Sequence, residues 1–515
     1  MQDIYDIAII GGGVNGCGIA RDAAGRGLSV YLAEKDDLAS GTSSASTKLI
    51  HGGLRYLEHY EFGLVRHSLR EREVLWGMAP HIIHPLRFVL PHMKGLRPAW
   101  MIRLGLFLYD HLGGRDRLAG SHFVDLRTDP AGGPLDPSFT KGFEYSDCWV
   151  DDSRLVVLNA RDAADRGAAI HPRTEVTAAA RHGNEWRLDV TDMQSGKPAS
   201  VRAHALVNAT GPWIGSVIAD CITADPIAGR GQAGARLVKG SHIVVPRMFD
   251  HDRAYIFQNP DRRIIFAIPY HHDYTLIGTT DIDYDGRPED AKAEADEIAY
   301  LCAAVGEYFR KPVSPEEVVW SFSGVRSLYD DGTSAAQEAT RDYVLELDGN
   351  PGEAAVINVF GGKITTYRHL AEEVLGKLKP WLAAMKDPWT QGAALPGGDF
   401  PIEGGAQLVA KLAAQYPQMP TLLLERLANT YGTLSAKVLG GAKTENDLGR
   451  PFGGDLYQQE VDYLVQTEWA RTAEDILWRR TKLGLKLSEQ ETDGLSSWMQ
   501  DHPPGKIEAS CPISF

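Results

Sequence analysis

The chain has 515 residues, 43% hydrophobic and 23% charged, with 53 glycines. That length accommodates two or three folding units, and the balance of apolar and charged residues excludes collagen, wholesale disorder and a multi-span membrane protein. With 53 Lys and Arg against 68 Asp and Glu the formal charge is −15, so the whole-molecule field repels nucleic acid, and any contact with an anion is built locally.

In chain order, Tyr5–Ile10 is a short apolar run ending in three glycines, and Leu28–Ala33 is a second ending in Glu34, with small residues over 16–24 between them. This reads as strand, glycine turn, helix, strand, the opening of a parallel doubly wound sheet. Leu64, Val65, Ser68, Leu69, Leu75 and Trp76 recur at helical spacing before Pro80, predicting a core helix over 61–79. The runs 241–245, 254–257, 263–268 and 274–278, separated by Pro, Asn and Asp turns, predict an antiparallel sheet. Ala355–Phe360 ends in Gly361-Gly362-Lys363 and leads into a helical pattern, repeating the logic of the N-terminus. From about residue 389, Pro-Gly-rich linkers give way to helical patterns; Thr472-Ala473-Glu474-Asp475 has the form of a capped helix start.

Cys17, Cys148, Cys221, Cys302 and Cys511 are widely spaced, with no C-x-x-C pair. This argues against a disulfide framework and against a zinc site, and it fits a reducing compartment. No apolar stretch of about 18 residues is present to span a bilayer, and nothing like a signal peptide precedes the first strand. A cytosolic or peripheral protein is expected.

Gly11-x-Gly13-x-x-Gly16 opens the first helix, with Glu34 at the end of the next strand. Gly11 permits the tight turn, Gly13 lets backbone amides approach a pyrophosphate, Gly16 allows close helix-to-strand packing, and Glu34 is placed to accept from ribose hydroxyls. NAD and FAD share the ADP half, so the fingerprint alone does not separate them. With its N-terminal position, the Ser/Thr-rich segment 41–49 and the late Gly361-Gly362-Lys363, the pattern resembles that of FAD oxidoreductases, and the resemblance implies FAD.

Five further blocks occur in order: Ser46-Thr47-Lys48-Leu49-Ile50-His51-Gly52-Gly53-Leu54-Arg55-Tyr56-Leu57, Asn208-Ala209-Thr210-Gly211-Pro212-Trp213, Lys239-Gly240-Ser241-His242, Ser323-Gly324-Val325-Arg326 and Phe360-Gly361-Gly362-Lys363-Ile364-Thr365-Thr366. With these the chain resembles, nearly end to end, the aerobic FAD-dependent glycerol-3-phosphate dehydrogenase family. The resemblance implies an α/β fold: a Rossmann-type FAD-binding domain interleaved with an antiparallel β-sheet substrate domain over residues 1–388, and a C-terminal helical domain over 389–515. It implies oxidation of sn-glycerol 3-phosphate to dihydroxyacetone phosphate, with hydride passing from C2 to FAD and electrons leaving to ubiquinone. An oxidase passing electrons to oxygen on the same scaffold is the nearest rival.

The resemblance places FAD against Gly11, Gly12, Gly13, Asn15, Gly16 and Glu34, and against Thr42, Ser43, Ser44, Ser46, Lys48, Leu49, His51 and Gly52. Ala209, Thr210 and Gly211, then Gly362, Lys363, Ile364 and Thr365, complete that set. Arg55, Tyr56, His242, Arg326, Arg341 and Lys363 are expected at the substrate; of these Arg55, His242, Arg326 and Lys363 are the catalytic candidates. Arginine forks suit a phosphate dianion. The Lys363 ammonium, between a strand end and a helix start, suits negative charge developing at the flavin edge. The base stays open between His242, His51 and Tyr56. Two positions depart from the family pattern: Ser327 stands where Pro is expected, and Cys17 where Ala is usual.

Residues 87–103 carry Arg87, Lys94, Arg97 and Arg103 and no acid. Trp100, Leu104, Phe107, Leu108 and His111 then share one helical face, with Met101, Ile102, Leu106 and Tyr109 extending the apolar surface. On the residues alone 87–112 read equally as a membrane-surface segment or as a core helix with a basic flank; the ubiquinone that the resemblance implies favours the former, as a peripheral, monotopic protein at the cytoplasmic face of the inner membrane. A homodimer is compatible with the resemblance.

Overall fold

The computed structural model describes residues 4–93, 98–114, 117–223, 235–259, 261, 263–329, 342–350, 352–382 and 384–503; the side chains of Arg55, Glu58 and His59 are also outside the description. Lys94, Arg97, Arg341 and Cys511 lie outside the described residues.

Strand β1 (Tyr5–Ile10), helix α1 (Val14–Gly25) and strand β2 (Val30–Glu34) form the predicted opening unit. β1 pairs in parallel with β2 and with Pro198–Asn208, and Ala355–Phe360 joins the far side of Pro198–Asn208, also in parallel. The two strand-glycine-helix units, one early and one late in the chain, thus share one sheet. Parallel strands are covered on both faces, and the pleat divides them: Ile7 and Ile9 point into one apolar cluster, Ala8 and Ile10 into another. Downstream come helices α2 (Phe62–Met78), α3 (Ala99–Leu112) and α4 (Asp152–Asp165). α1 and α4 contribute Ile19, Ala23, Val156 and Ala160 to the first cluster, while the antiparallel strands Thr174–His182 and Glu185–Asp192 cover the other face with Val176 and Trp186.

The second sheet contains the four predicted antiparallel strands, here Ala235–Pro246, Tyr274–Gly278, Ile264–Tyr270 and Ala254–Gln258. Trp320–Tyr329 extends it on one side; Ile83–Pro91 and Lys141–Val150 extend it on the other. Lys141–Val150 does not read as a strand because Glu144 and Asp147 interrupt its apolar pattern. Both are buried, Glu144 against Arg87 and Arg253, and Asp147 against Arg72.

Beyond residue 404 the helices Gly405–Gln415, Thr421–Tyr431, Gln458–Thr467 and Glu489–Asp501 surround their own core, which includes Leu424, Tyr431, Leu464 and Ile476. A small hairpin, 451–457, interrupts the helical pattern. The start predicted at Thr472 forms: Thr472 Oγ1 accepts from the Asp475 amide, and Asp475 Oδ2 accepts from the Thr472 amide. Buried ion pairs join this part to the sheet region, Arg154 with Glu468 and Arg480 with Asp37.

α3 corrects part of the membrane expectation. Trp100, Leu104 and Phe107 are exposed (66, 51 and 53%), but Leu106 and Tyr109 point inward, at 0 and 2%, and so do not extend the outer apolar face. The Tyr109 hydroxyl instead donates to Asp147, at 2.8 Å. Arg87 is not a free surface cation either: it pairs with Glu144 and donates to the Ala119 and Gly120 carbonyls. Among the described residues no helix is long and apolar enough to cross a membrane.

Candidate active site

A cavity of about 580 Å³ runs from the start of α1 to the second sheet. At its first end the backbone does most of the shaping. Gly11 has φ +110°, and a Cβ there would stand 2.6 Å from the Ala209 carbonyl oxygen; a Cβ on Gly16 would stand 2.0 Å from the Gly11 carbonyl oxygen. Only glycine fits either position. Gly13 begins α1 without a side-chain cap, and the Val14 amide donates to Ser43 Oγ at 3.0 Å. The start of α1 therefore presents its positive end to the cavity, a setting suited to a pyrophosphate. Asn15 donates to the Gly361 carbonyl at 3.1 Å, while its Oδ1 is buried without a partner among the described residues.

Glu34 lines the same end. Its carboxylate accepts from the Gly12 amide (2.7 Å) and the Asp36 amide (2.9 Å), and burial pushes its pKa up to about 6. Two amides leave it capacity for hydroxyl donors.

At the other end, Gly361 and Gly362, with φ +70° and +98°, turn the chain so that Lys363 enters the cavity wall. Lys363 Nζ is buried with no hydrogen-bond partner among the described residues, and stands 4.0 Å from the centroid of the Tyr56 ring. Thr365 Oγ1 accepts from the His51 amide at 3.2 Å. Arg326 reaches the same wall, its Nη2 3.3 Å from Asp281 Oδ1, with about a third of the side chain exposed. His242 is 3% exposed, and burial together with the Lys48 and Arg326 charges pushes its pKa down to about 3. Burial likewise lowers His51. Both imidazoles are therefore neutral at physiological pH, each with one nitrogen lone pair available.

The cavity brings together Gly11, Gly13, Asn15, Glu34, Thr42, Ser43, Ser46, Leu49 and His51 with Ala209, Thr210, Gly211, Gly362, Lys363, Ile364 and Thr365, and with Tyr56, His242 and Arg326. Five expected cofactor residues stand behind its wall instead. Gly12 and Gly16 pack against neighbouring backbone and side chains, Ser44 donates to the Gly41 carbonyl, and the Gly52 amide donates to Tyr109. Lys48, 1% exposed, holds Asp152 at 2.9 Å. Sequence reasoning passed over Thr47 and Asp152. Thr47 lines the cavity and hydrogen-bonds His242, and the Ser/Thr-rich segment that contains it was the available signal. The open helix start, the Glu34 carboxylate, and the orphaned Asn15 Oδ1 and Lys363 Nζ fit a dinucleotide whose far ring is electron-rich.

Residues 6–368 match the family model described as FAD dependent oxidoreductase, and 389–500 match the C-terminal domain of alpha-glycerophosphate oxidase. The chain is 52% identical to the D-erythritol 1-phosphate dehydrogenase of Brucella abortus (strain 2308), covering 96% of this chain and 98% of that protein. It is 49% identical to the aerobic glycerol-3-phosphate dehydrogenase of Escherichia coli (strain K12), covering 98 and 99%. The crystal structure of the glycerol-3-phosphate dehydrogenase from Bacillus halodurans complexed with FAD superposes with a TM-score of 0.77 at 25% identity, covering 97% of this chain and 91% of that one. The fold, the glycine-shaped dinucleotide end and these matches agree: this chain belongs to the FAD-dependent oxidoreductases, in the branch of the glycerol-3-phosphate dehydrogenases.

Proposed function

We propose that the chain oxidises sn-glycerol 3-phosphate to dihydroxyacetone phosphate at the lysine end of the cavity. The observation that carries this reading is the convergence there of a buried Lys363 ammonium without a hydrogen-bond partner among the described residues, the Arg326 guanidinium and the neutral His242. FAD, when bound, supplies the acceptor for the hydride from C2. Arg326, with Arg55 and Arg341, grips the phosphate dianion and fixes the orientation of C2. His242, His51 or Tyr56 takes the C2 hydroxyl proton. Lys363 supplies positive charge in a water-poor setting where it acts strongly on nearby negative charge. In this reading residues 1–388 are the catalytic unit and 389–515 brace it.

Electrons then leave to ubiquinone at the cytoplasmic face of the inner membrane. The exposed Trp100, Leu104 and Phe107 of α3, flanked by Arg103, support peripheral attachment to a bilayer that holds a lipid-soluble acceptor. A second substrate, D-erythritol 1-phosphate, is favoured by the 52% identity to a relative of that name. It offers the same chemistry, a secondary alcohol beside a phosphorylated carbon. Anaerobic titration of the purified holoenzyme tests both readings. Glycerol 3-phosphate is expected to bleach the flavin absorbance at lower concentration than D-erythritol 1-phosphate; the reverse order overturns the first reading in favour of the second. Rapid recovery in air without a quinone would favour an oxidase.

A further inference from the structure

His242 is held by a segment that packing alone does not explain. Its ring stacks on Phe322, centroids 4.9 Å apart and planes within 12°. The backbone at Gly278 stands so close that a Cβ there would lie 2.1 Å from the ring Cδ2. These contacts fix the plane of the imidazole. Which nitrogen carries the proton is set by hydrogen bonding. Nδ1 has no partner among the described residues, whereas Nε2 lies 2.9 Å from Thr47 Oγ1.

Thr47 is itself fixed from both sides by one carboxylate. Asp152 accepts from the Ser46 amide (3.2 Å) and hydroxyl (2.7 Å), and from the Lys48 ammonium at 2.9 Å to each oxygen. The Lys48 amide returns to Ser46 Oγ at 2.9 Å, and Lys48 adopts φ +60°, a region that residues other than glycine seldom enter. Asp152 opens α4 and also accepts from the Ser153 amide at 2.9 Å. The Lys48 and Asp152 side chains are 1 and 0% exposed. A buried, fully hydrogen-bonded ion pair resists rearrangement, because separating it strands a charge. α4 thus anchors Asp152, Asp152 shapes residues 46–48, and that shape presents Thr47 Oγ1 to His242.

We infer that Thr47, anchored through Asp152, is a positioning residue that holds His242 in its Nε2–H tautomer and leaves the Nδ1 lone pair to accept the substrate hydroxyl proton. The inference rests on the proposed oxidation of a phosphorylated polyol. In that step the proton of the C2 hydroxyl moves to Nδ1, the C2 hydride passes to FAD, and the C2–O bond becomes a carbonyl. The imidazolium so formed still donates from Nε2 to Thr47. Burial and the charges of Lys48 and Arg326 oppose this imidazolium, while Asp152 favours it. A phosphate dianion seated on Arg326 cancels part of that opposition, so His242 becomes a better base when substrate is in place.

The test uses holoenzyme labelled with [15N]histidine, with the His242 signals assigned by their loss in His242→Asn. Wild type and Thr47→Ser are expected to show a neutral Nε2–H ring, and Thr47→Val a shift toward the other tautomer. Anaerobic bleaching by sn-glycerol 3-phosphate is expected to slow about tenfold or more in Thr47→Val at saturating substrate. The half-saturating concentration and flavin content should hold steady, and Thr47→Ser should restore the rate. Ser46→Ala, which loosens the strap but leaves the Lys48 charge paired, is expected to move the same signals, and unmoved signals there overturn the part assigned to Asp152. An unchanged tautomer in Thr47→Val overturns the inference whatever the substrate proves to be. A wild type that no polyol phosphate bleaches overturns the functional reading alone, since the tautomer shift is read without substrate.

Discussion

Lys363 Nζ stands 4.0 Å from the centroid of the Tyr56 ring and has no hydrogen-bond acceptor among the described residues. A ring face is a weak partner for an ammonium, so the lysine retains donors and charge for a ligand. Lys363→Met keeps the stem and removes the charge. The expected result is a kcat lower by about a hundredfold or more, the magnitude typical of one preorganised charge or donor at a reacting centre, with flavin still bound. Absorbance of the purified variant and its anaerobic bleaching rate check this.

Arg326 is paired with Asp281 at 3.3 Å, donates to the Thr280 carbonyl at 3.4 Å and is about a third exposed on the cavity wall, where its guanidinium can also meet a phosphate. Arg326→Ala is expected to raise KM at least about tenfold, as the loss of a charge-assisted contact predicts, while flavin content stays normal. An unchanged KM in steady-state assays would remove Arg326 from the phosphate site.

The opening dinucleotide unit was legible because its signals are local: an apolar run, three glycines, a helix of small residues and Glu34 at the end of the next run. The strand 355–360 with its double glycine was legible for the same reason. What stayed hidden depends on partners far along the chain. Lys48 lies in a Ser/Thr-rich segment whose polar residues look alike whether they face a ligand or a carboxylate; its partner, Asp152, is 104 positions away. Lys141–Val150 hides as a strand because Glu144 and Asp147 are neutralised by arginines far away in the sequence, Arg87 on a neighbouring strand, Arg253 just before another and Arg72 on α2. Periodicity showed that α3 is amphipathic but not which residues are covered, and the Tyr109 hydroxyl turns inward because Asp147 is there to accept it.

The C-terminal helices depend on a buried charge. Arg154 and Glu468 are both wholly buried and paired, and Arg154 also lies over the Tyr431 ring at 5.0 Å. Glu468→Ala strands the guanidinium and is expected to cost about 3–5 kcal/mol. Arg154→Met combined with Glu468→Leu should recover most of that, since no charge is then left unpaired. Apparent melting temperatures of the three proteins, measured at one concentration and pH, decide it.

The outward face of α3 makes a separate claim. Leu104→Glu with Phe107→Glu changes residues that are about half exposed, so the fold should survive while an apolar surface is lost. Binding to vesicles containing anionic lipid is expected to fall sharply, with activity toward a soluble electron acceptor retained. Equal co-sedimentation of variant and wild type would exclude this face as the attachment surface.

Glu34 gives a pH dependence whose sign is fixed by its environment. Burial raises its pKa from 4.5 to about 6, so in the chain without cofactor its contribution to stability is fully present below about pH 4.5 and lost as pH rises through about 6. Flavin retention runs the other way. Ribose hydroxyls are donors, and they bind the ionised carboxylate better than the protonated one. Affinity for FAD should therefore strengthen as pH rises through about 6 and level off above it. Glu34→Gln keeps an oxygen for the Gly12 amide but cannot ionise, so its affinity should be lower by about tenfold or more and show no step near pH 6. Fluorescence titration of the apoprotein with FAD between pH 5 and 8 measures both curves; a step of equal size in the variant would assign the titration to another group.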